Sequence, residues 1–298
     1  MTIDPFVVLI YYKFATVTNP QQTMKLHKLL CKKFDLKGRI LISKDGINGT
    51  VEGTIQNCQL YINELKNDDF YKDIYFKQSE GDGNSFSKLQ VKVRDEIVTT
   101  KLDFKDEIGP IAQVTGKYIS PEELHGLFDS QEDFYIIDMR NDYEYSVGYF
   151  QNSILLKNLH NFRDLPNILP DIEHLKDKRV ITVCTSGVRC ELASGFLIRS
   201  GFSDVSQLKD GIMEYMQQYP NEDFLGKLFV FDNRVVISFH TDSKDRQFVG
   251  KCVKCGVSCE NFVDQYNIHG DRQYRISCQK CVDSGVVKLE KVPYKNQI

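Results

Sequence analysis

The pattern of hydrophobic and polar positions predicts two α/β segments followed by a cysteine-rich tail. In the first 100 residues the expected strands are 6–14, 39–43, 49–53, 74–78 and 89–93, and the expected helices are 20–34 and 55–65. Asn19 and Pro20 provide an N-cap and a first-turn proline for the first helix. A turn-rich segment, 44–49, separates the second and third strands. This order predicts a ferredoxin-like, or acylphosphatase-like, α+β domain over residues 1–100.

Strands and helices alternate in the middle of the chain, after a polar stretch at 101–116 that is typical of a linker. Strands are expected at 135–138, 154–156 and 180–183, and helices at 124–128, 172–175, 190–200 and 211–218. Ser120 and Glu123 form a capping box before the first of these helices. Such alternation predicts a parallel sheet in residues 117–225, with functional loops at the carboxyl ends of its strands. Residues 226–298 form the cysteine-rich module.

Cys184 lies at one of those strand ends and directly precedes an amphipathic helix. In that position backbone N–H groups surround the sulfur, and their dipoles favour the thiolate and lower the pKa of the thiol. Arg189 closes the loop with C-x4-R spacing, which suits a compact, sulfur-sized group. Cysteine phosphatases use one more residue before the arginine, so the spacing argues against a phosphatase. The loop predicts an enzyme with one activated cysteine.

The composition limits the setting in which that cysteine works. The chain has nine cysteines and no secretory signal pattern, which favours reduced thiols and a cytoplasmic location. No apolar run reaches membrane-spanning length, so we expect no membrane association. The net charge is −3, with acidic residues concentrated in 109–226. If nucleic acid binds, the flanking segments should supply most of the phosphate contacts; an equally good explanation is that surface charge simply differs between domains.

Two C-x-x-C pairs in the tail have the spacing of a metal site. The expected ligands are Cys252, Cys255, Cys278 and Cys281, with Cys259 and His269 as substitutes. Four thiolates in two such pairs match a structural zinc ribbon, in which the metal supplies folding energy. The alternative is four reduced thiols without a metal. Basic and aromatic residues around the pairs suit RNA binding, and they equally suit the solvated face of a small zinc module.

The middle segment resembles the rhodaneses in two further motifs. Residues 138–148 resemble the D-x-R-x-x-x-E-[FWY]-x-x-G pattern, with Tyr149 where a histidine often follows. Residues 208–212 resemble the closing L-x-G-G-[IV] turn, with Asp210 in place of the first glycine. The resemblance implies that Cys184 is a nucleophile that carries a persulfide or a covalent adduct.

The same resemblance implies roles for the neighbours of Cys184. Arg189 and the loop backbone should stabilise the thiolate, the loop residues being Thr185, Ser186, Gly187, Val188 and Cys190. Asp138, Arg140 and Glu144 should be structural, because carboxylates and arginines at strand ends usually hold loops. Cys190 either resolves an oxidised Cys184 or packs in the first helical turn.

Four motifs extend the resemblance to nearly the whole chain. Residues 42–51 resemble an E-G-I-N-G-T turn with Asp45 for glutamate, 92–98 a V-R-x-E-I-V run, 184–191 the loop C-T-G-G-I-R-C-E, and 229–235 match F-V-F-D-N-R-V. This combination is similar to the bacterial tRNA uridine(34) hydroxylases of the rhodanese superfamily. The implied fold is a central rhodanese-like domain between an N-terminal ferredoxin-like domain and a zinc-ribbon-like module.

The implied activity is oxygen-dependent hydroxylation of uridine 34, in the anticodon loop of tRNA, to 5-hydroxyuridine. Molecular oxygen is then a co-substrate and zinc a structural metal, and the sequence contains no flavin, haem or nucleotide motif. Nothing in the sequence indicates the electron donor or an oligomeric state. Two alternatives remain: a sulfurtransferase that carries a Cys184 persulfide, and a non-catalytic RNA-binding protein.

Overall fold

The structure is a computed structural model, and it describes residues 5–239, 247–266 and 272–287. His269, considered above as a metal ligand, lies outside the described residues. Within those residues, no helix is both long enough and apolar enough to cross a membrane.

The N-terminal elements form one sheet with two helices packed against it. They are β1 (Phe6–Phe14), α1 (Pro20–Lys33), β2 (Lys37–Ser43), β3 (Gly46–Thr54), α2 (Ile55–Lys66), β4 (Lys77–Gly81) and β5 (Leu89–Val93). The strand order is β4-β1-β3-β2-β5. Strand β1 is antiparallel to β3 and β4, β3 is antiparallel to β2, and β5 is parallel to β2. The first four strands and both helices have the split β-α-β arrangement, so the predicted ferredoxin-like fold is confirmed, and β5 extends it at one edge.

The turn predicted at 44–49 is wrong in extent, because β3 already begins at Gly46. A Cβ atom on Gly46 would lie 2.1 Å from the Lys13 carbonyl oxygen, and one on Gly49 would lie 2.4 Å from the Tyr11 ring. These glycines therefore permit close approach between β3 and β1. Only two residues remain for the turn, and the glycine-rich composition indicated a longer one.

The strand predicted at 74–78 is displaced, since β4 begins at Lys77. Ile74 and Phe76 are apolar because they are buried in the cluster between the sheet and its helices, although they precede the strand. An apolar run identifies buried positions, and here some of those positions belong to a loop.

The opposite face of the N-terminal sheet packs on the middle domain. Val8 and Ile10 of β1 are buried in one cluster with Ile181 and Val183. Helices therefore cover one face of the sheet and the middle domain covers part of the other. The β2–β5 edge of that second face lies beyond this contact.

The middle domain is a five-stranded parallel sheet. Its elements are β6 (Lys117–Ile119), α3 (Pro121–Asp129), β7 (Tyr135–Asp138), β8 (Gly148–Phe150), β9 (Ile154–Leu155), α4 (Leu169–Ile172), β10 (Arg179–Val183), α5 (Val188–Arg199), β11 (Asp204–Leu208) and α6 (Gly211–Gln218). The order is β6-β11-β10-β7-β9, and every neighbouring pair is parallel, as predicted. The capping box of Ser120 and Glu123 is present at α3. Strand β10, which leads into Cys184, occupies the centre of the sheet.

The segment 101–116, predicted to be an irregular linker, packs against this domain. It contains a short 3₁₀ turn, Lys105–Glu107, and an isolated bridge between Gly109 and Val114. Leu102 and Ile108 are buried in the core of the middle domain. Polar composition indicated a free connector, whereas two apolar residues anchor the segment.

The tail adds short elements that pack on the middle domain. They are β12 (Phe224–Gly226), β13 (Leu228–Phe229), β14 (Val236–Ile237), β15 (Phe262–Tyr266), β16 (Arg272–Ile276) and α7 (Gln279–Asp283). Strand β12 pairs with β8 of the middle domain, and β15 pairs with β16 as an antiparallel hairpin. Phe229 and Ile276 are buried against Val147 of the middle domain. This cluster joins the cysteine-rich module to the segment that follows β7.

Candidate active site

Cys184 is the first residue after β10, and the chain enters α5 four residues later. Gly187 is the N-cap of α5 with a φ of 96°, a conformation that glycine adopts readily. Its N–H group donates to the Cys184 sulfur at 3.2 Å. The first turn of α6 closes the loop from below, because the N–H groups of Ile212 and Met213 donate to the carbonyls of Cys184 and Thr185 at 2.9 and 3.0 Å. The sequence therefore folds into a tight amide collar around one sulfur.

The collar makes Cys184 unusually acidic despite its burial. Burial alone would raise the pKa of the thiol, but the Cys190 thiol, the Arg189 charge and the backbone N–H groups of Cys190 and Arg189 outweigh it and lower the pKa to about 6. At pH 7 such a group is about nine-tenths thiolate, whereas an ordinary cysteine is only a few per cent ionised. Burial and the Cys184 charge raise the pKa of Cys190 well above its usual value, so Cys190 remains a thiol and donates to Cys184.

Arg189 is held by Glu144 through two hydrogen bonds. Its guanidinium donates to the two carboxylate oxygens at 2.5 and 2.8 Å, and to the Thr185 hydroxyl at 3.2 Å. Glu144 is completely buried and also accepts from the Asn141 backbone N–H at 2.9 Å. Burial acts against the charge, yet Glu144 keeps the pKa of Arg189 above its ordinary value. Glu144 thus fixes the orientation of the cation that faces Cys184, a pairing that its sequence position did not reveal.

Asp138 and Arg140 form a second buried pair beneath the site. The Arg140 guanidinium donates to Asp138 at 2.6 to 3.1 Å and to the Gly148 carbonyl at 2.7 Å. Both side chains are fully buried. The pair ties the end of β7 to the start of β8 and does not reach the Cys184 sulfur through any hydrogen bond between described residues.

The segment 229–235 connects the tail, the N-terminal domain and the cysteine loop. Arg234 pairs with Asp232 at 2.6 Å and donates to the Glu80 carbonyl at 2.6 Å. The Asn233 backbone N–H donates to the Ser85 carbonyl at 2.9 Å. These bonds attach the segment to β4 and to the loop that follows it.

Phe231 is positioned by this attachment and was not identified by sequence reasoning. Its ring centre lies 5.7 Å from the Arg189 guanidinium carbon and 5.2 Å from the Phe229 ring centre. Phe231 is nevertheless 46% exposed. The exact match of this segment to a family motif was the available signal, although a sequence motif does not show which ring faces solvent.

A cavity of about 260 Å³ lies between the three parts of the chain. Its walls include Arg39, Leu41, Asn48 and Thr50 of the N-terminal sheet, Thr185, Ser186, Val188 and Arg189 of the cysteine loop, and Val230, Phe231 and Asp232 of the tail. This volume is close to the lower end, roughly 300 Å³, of pockets that bind drug-sized ligands. It suits one planar ring rather than a longer segment.

The sulfur itself does not line this cavity. Cys184 has no exposed surface, and the wall is made by its neighbours Thr185, Ser186 and Arg189. A molecule in the cavity therefore contacts the sulfur only when these residues are displaced. The loop residues divide into those that hold the sulfur, such as Gly187, and those that face the cavity.

The structure accounts for Asp210, one of the two departures from the rhodanese motif. It has a φ of 62°, the left-handed conformation that the usual glycine would adopt freely and that aspartate tolerates. Its carboxylate pairs at 2.9 Å with Lys77 of β4, whose side chain is only 2% exposed. The ammonium of Lys77 also lies 5.0 Å from the Tyr12 ring centre. Aspartate at position 210 therefore forms an ion pair that joins the N-terminal and middle domains.

The four tail cysteines come together as predicted. The sulfurs of Cys252, Cys255, Cys278 and Cys281 all lie within 4.8 Å of one another, and those of Cys255 and Cys278 are 3.6 Å apart. Tetrahedral Zn–S bonds of about 2.3 Å would separate neighbouring sulfurs by roughly 3.8 Å, so the donor set and its spacing fit such an ion. Cys259 is not a member of this group. The cluster could bind a metal such as zinc.

The parallel sheet and the cysteine loop define a rhodanese-like domain. A family model described as "Rhodanese-like domain" matches residues 120–218. The model "UPF0176 acylphosphatase like domain" matches residues 6–97, and "Rhodanase C-terminal" matches residues 225–288. Among solved structures, a rhodanese-like domain protein from Staphylococcus aureus is 24% identical, covers 33% of this chain and 90% of its own, and has a TM-score of 0.29.

Curated relatives narrow the class further. A tRNA uridine(34) hydroxylase from Bacillus licheniformis is 42% identical over 91% of this chain and 83% of its own length. One from Staphylococcus saprophyticus is 41% identical over 91% and 84%, respectively. The chain belongs to the tRNA uridine(34) hydroxylase family.

Proposed function

We propose that this chain hydroxylates uridine 34 of tRNA at C5, with Cys184 as the nucleophile. The observation that carries the proposal is the thiolate of Cys184, held in an amide collar with its pKa lowered to about 6, next to a cavity of about 260 Å³. The names of the relatives supply the substrate and the position. Because the anticodon loop is single-stranded, uridine 34 can turn into the cavity without the opening of a duplex.

The chemistry begins with the C6 atom of the uracil ring. The Cys184 thiolate forms a C–S bond to C6, and the electron pair of the C5–C6 double bond becomes an enolate across C5 and O4. C5 then bonds to one atom of O2. Two electrons and two protons from a thiol reductant break the O–O bond and release the second atom as water, while the reductant becomes a disulfide. The C5 proton passes through water to the C5 oxygen, and Cys184 leaves C6 as the thiolate, which restores the C5–C6 double bond.

The groups around Cys184 stabilise the charges that form during this reaction. The amide collar and Arg189 stabilise the thiolate before addition and after its release. Glu144 is a positioning residue, because its two hydrogen bonds hold Arg189 in place. Asp138 and Arg140 support the loop that carries Glu144. The displacement that exposes Cys184 accompanies entry of the base.

Zinc in the four-cysteine cluster has a structural role in this proposal. Four thiolates leave the ion without an open position, so it supplies folding energy rather than a Lewis acid. The cytoplasm is the compartment we expect, since a reducing environment keeps these thiols and Cys184 free.

The test is nucleoside mass spectrometry of tRNA from a bacterial strain that lacks its own uridine-34 hydroxylases. Expression of the wild-type chain should restore 5-hydroxyuridine, and Cys184→Ser should not. Cys58→Ala, which removes a buried thiol of the N-terminal domain, is the matched control and should retain the modification. Unchanged 5-hydroxyuridine with Cys184→Ser would overturn the proposal. Rapid thiocyanate formation from thiosulfate and cyanide, with no tRNA modification, would instead identify a sulfurtransferase.

A further inference from the structure

One face of strands β2 and β5 is polar and cationic beside the cavity. Burial alternates along β2, so Lys37, Arg39 and Leu41 point away from the helices, whereas Ile40 and Ile42 are buried beneath them. In the parallel register Leu41 lies next to Lys92 of β5. The side chains of Lys37, Arg39 and Lys92 therefore share one face, which we call the cationic stripe.

The charges of this stripe are not neutralised by the protein. None of the three makes an ion pair with any residue that the structure describes. Neither β2 nor β5 contains an acidic residue. Glu52 of β3, the partner of Lys37 in register, is buried and accepts hydrogen bonds from Gly83 and Ser85 at 3.0 and 2.9 Å. Its carboxylate is thus occupied by the loop after β4.

The stripe continues directly into the candidate active site. Arg39 and Leu41 line the same cavity as Arg189 and Phe231. Phe231 presents almost half of its surface, on a segment fixed to the N-terminal domain by Arg234. A nucleotide strand whose phosphates lie along the stripe would therefore place one base in the cavity, next to the exposed ring of Phe231.

We propose that the cationic stripe binds the phosphates of a single-stranded RNA segment, and that the base which enters the cavity stacks on Phe231. This inference rests on the proposed function, and it assigns tRNA contacts to Lys37, Arg39, Lys92 and Phe231. Single-stranded RNA is the occupant because unpaired cations fit phosphates and an exposed ring fits an unstacked base. Arg39 lies at the junction, where it can contact the phosphate next to the flipped nucleotide.

The salt dependence and the size of the affinity loss distinguish the phosphate contacts from the stacking contact. Each phosphate contact on a single strand contributes about 0.7 to the dependence of log affinity on log salt concentration. Removal of two contacts should lower that slope by about 1.4. Stacking of a base on an aromatic side chain is worth about 5- to 150-fold in affinity and is independent of salt. The stripe and the ring therefore give different signatures.

The experiment measures binding of a fluorescent anticodon stem-loop to the full chain by anisotropy at several salt concentrations. The variants are Arg39→Gln with Lys92→Gln, and Phe231→Ala. The matched control, Lys25→Gln with Lys28→Gln, removes the same charge from exposed positions of α1, on the opposite face of the domain. Circular dichroism verifies that each variant is folded. Phe231→Tyr retains an aromatic face and should bind like the wild type.

We expect the stripe variant to bind at least tenfold more weakly at low salt, with a slope reduced by about 1.4, and the α1 control to match the wild type. Phe231→Ala should weaken binding without a change of slope. Equal losses for the stripe and α1 variants, or equal affinity for a duplex without a loop, would overturn the inference. A stem-loop with cytidine at position 34 separates this inference from the proposed function. It cannot be converted to 5-hydroxyuridine, so its affinity reports binding alone, whether or not the wild-type protein hydroxylates the uridine form.

Discussion

Replacement of Arg189 by glutamine tests whether a neighbouring charge controls the ionisation of Cys184. The pKa of this thiol falls from 9.0 to about 6 in the folded chain. That difference corresponds to about 4 kcal/mol in favour of the thiolate. The Arg189 charge is one of the main stabilising causes, after the opposing effect of burial and the hydrogen bond from Cys190. A neighbouring opposite charge shifts a pKa by about 1 to 3, so we expect Arg189→Gln to raise the pKa of Cys184 by about 1 to 2.

Glu144→Gln should change the pKa in the opposite direction. The amide keeps a hydrogen-bonding partner for Arg189 but removes the negative charge that balances it. The guanidinium then acts on Cys184 with its full charge, and the pKa of Cys184 should fall below that of the wild type. Substitutions of the two members of the Arg189–Glu144 ion pair should thus shift the pKa of Cys184 in opposite directions.

The assay is the rate of iodoacetamide alkylation as a function of pH. Tandem mass spectrometry that assigns the label to Cys184 separates its signal from the other eight cysteines of the chain, including nearby Cys190. The wild-type midpoint should lie near pH 6, that of Arg189→Gln near 7 to 8, and that of Glu144→Gln below the wild type.

Stability is the necessary control for Arg189→Gln. Loss of the guanidinium leaves Glu144 buried without its partner, which typically costs about 3 to 5 kcal/mol. The double variant Arg189→Gln with Glu144→Gln removes both charges and provides a folded alternative. An alkylation midpoint above pH 8 in the wild type, or one that neither substitution moves, would refute the electrostatic reasoning.

Three further predictions concern stability and the metal. Since folding lowers the pKa of Cys184, the thiolate stabilises the folded chain. This contribution to stability is fully present above about pH 9 and is lost as the pH falls through about 6. In urea titrations the stability of the wild type relative to Cys184→Ala should therefore grow by about 3 kcal/mol between pH 6 and 8.5; a constant difference would contradict this. Asp210→Gly should cost about 3 kcal/mol in urea unfolding because Lys77 stays buried without its partner, and a cost below about 1 kcal/mol would show that Lys77 finds another. Metal analysis of purified protein should find about one zinc per chain, lost in Cys278→Ser with Cys281→Ser, and a wild-type stoichiometry near zero would exclude the zinc site.

The sequence predicted those features that depend on neighbouring residues. Alternating strand and helix patterns predicted the parallel sheet, and a strand followed by C-x4-R predicted the loop around Cys184. Helix α6 has the predicted bounds, Gly211–Gln218, because its amphipathic pattern begins at a glycine and ends near a proline.

Features that depend on distant residues were not predicted. Strand β11 was missed because three of its five residues are polar. Gln207 is buried in that strand, and its amide is satisfied by donating to the Gly116 carbonyl at 3.0 Å, 91 residues away. The contacts of Arg234 with Ser79 and Glu80 span more than 150 residues. Single-sequence patterns contain no information about such pairs, so the cavity and the position of Phe231 required the structure.

The most direct test of the central claim is the pH dependence of 5-hydroxyuridine formation by purified protein. The protein is incubated with unmodified tRNA, air and a thiol reductant, and position 34 is analysed by mass spectrometry. If the Cys184 thiolate attacks uridine, the rate at tRNA concentrations well below saturation should rise with a midpoint near pH 6, and Arg189→Gln should move that midpoint upward, as we expect for alkylation. A rate that ignores this substitution, or that persists in Cys184→Ser, would contradict the account.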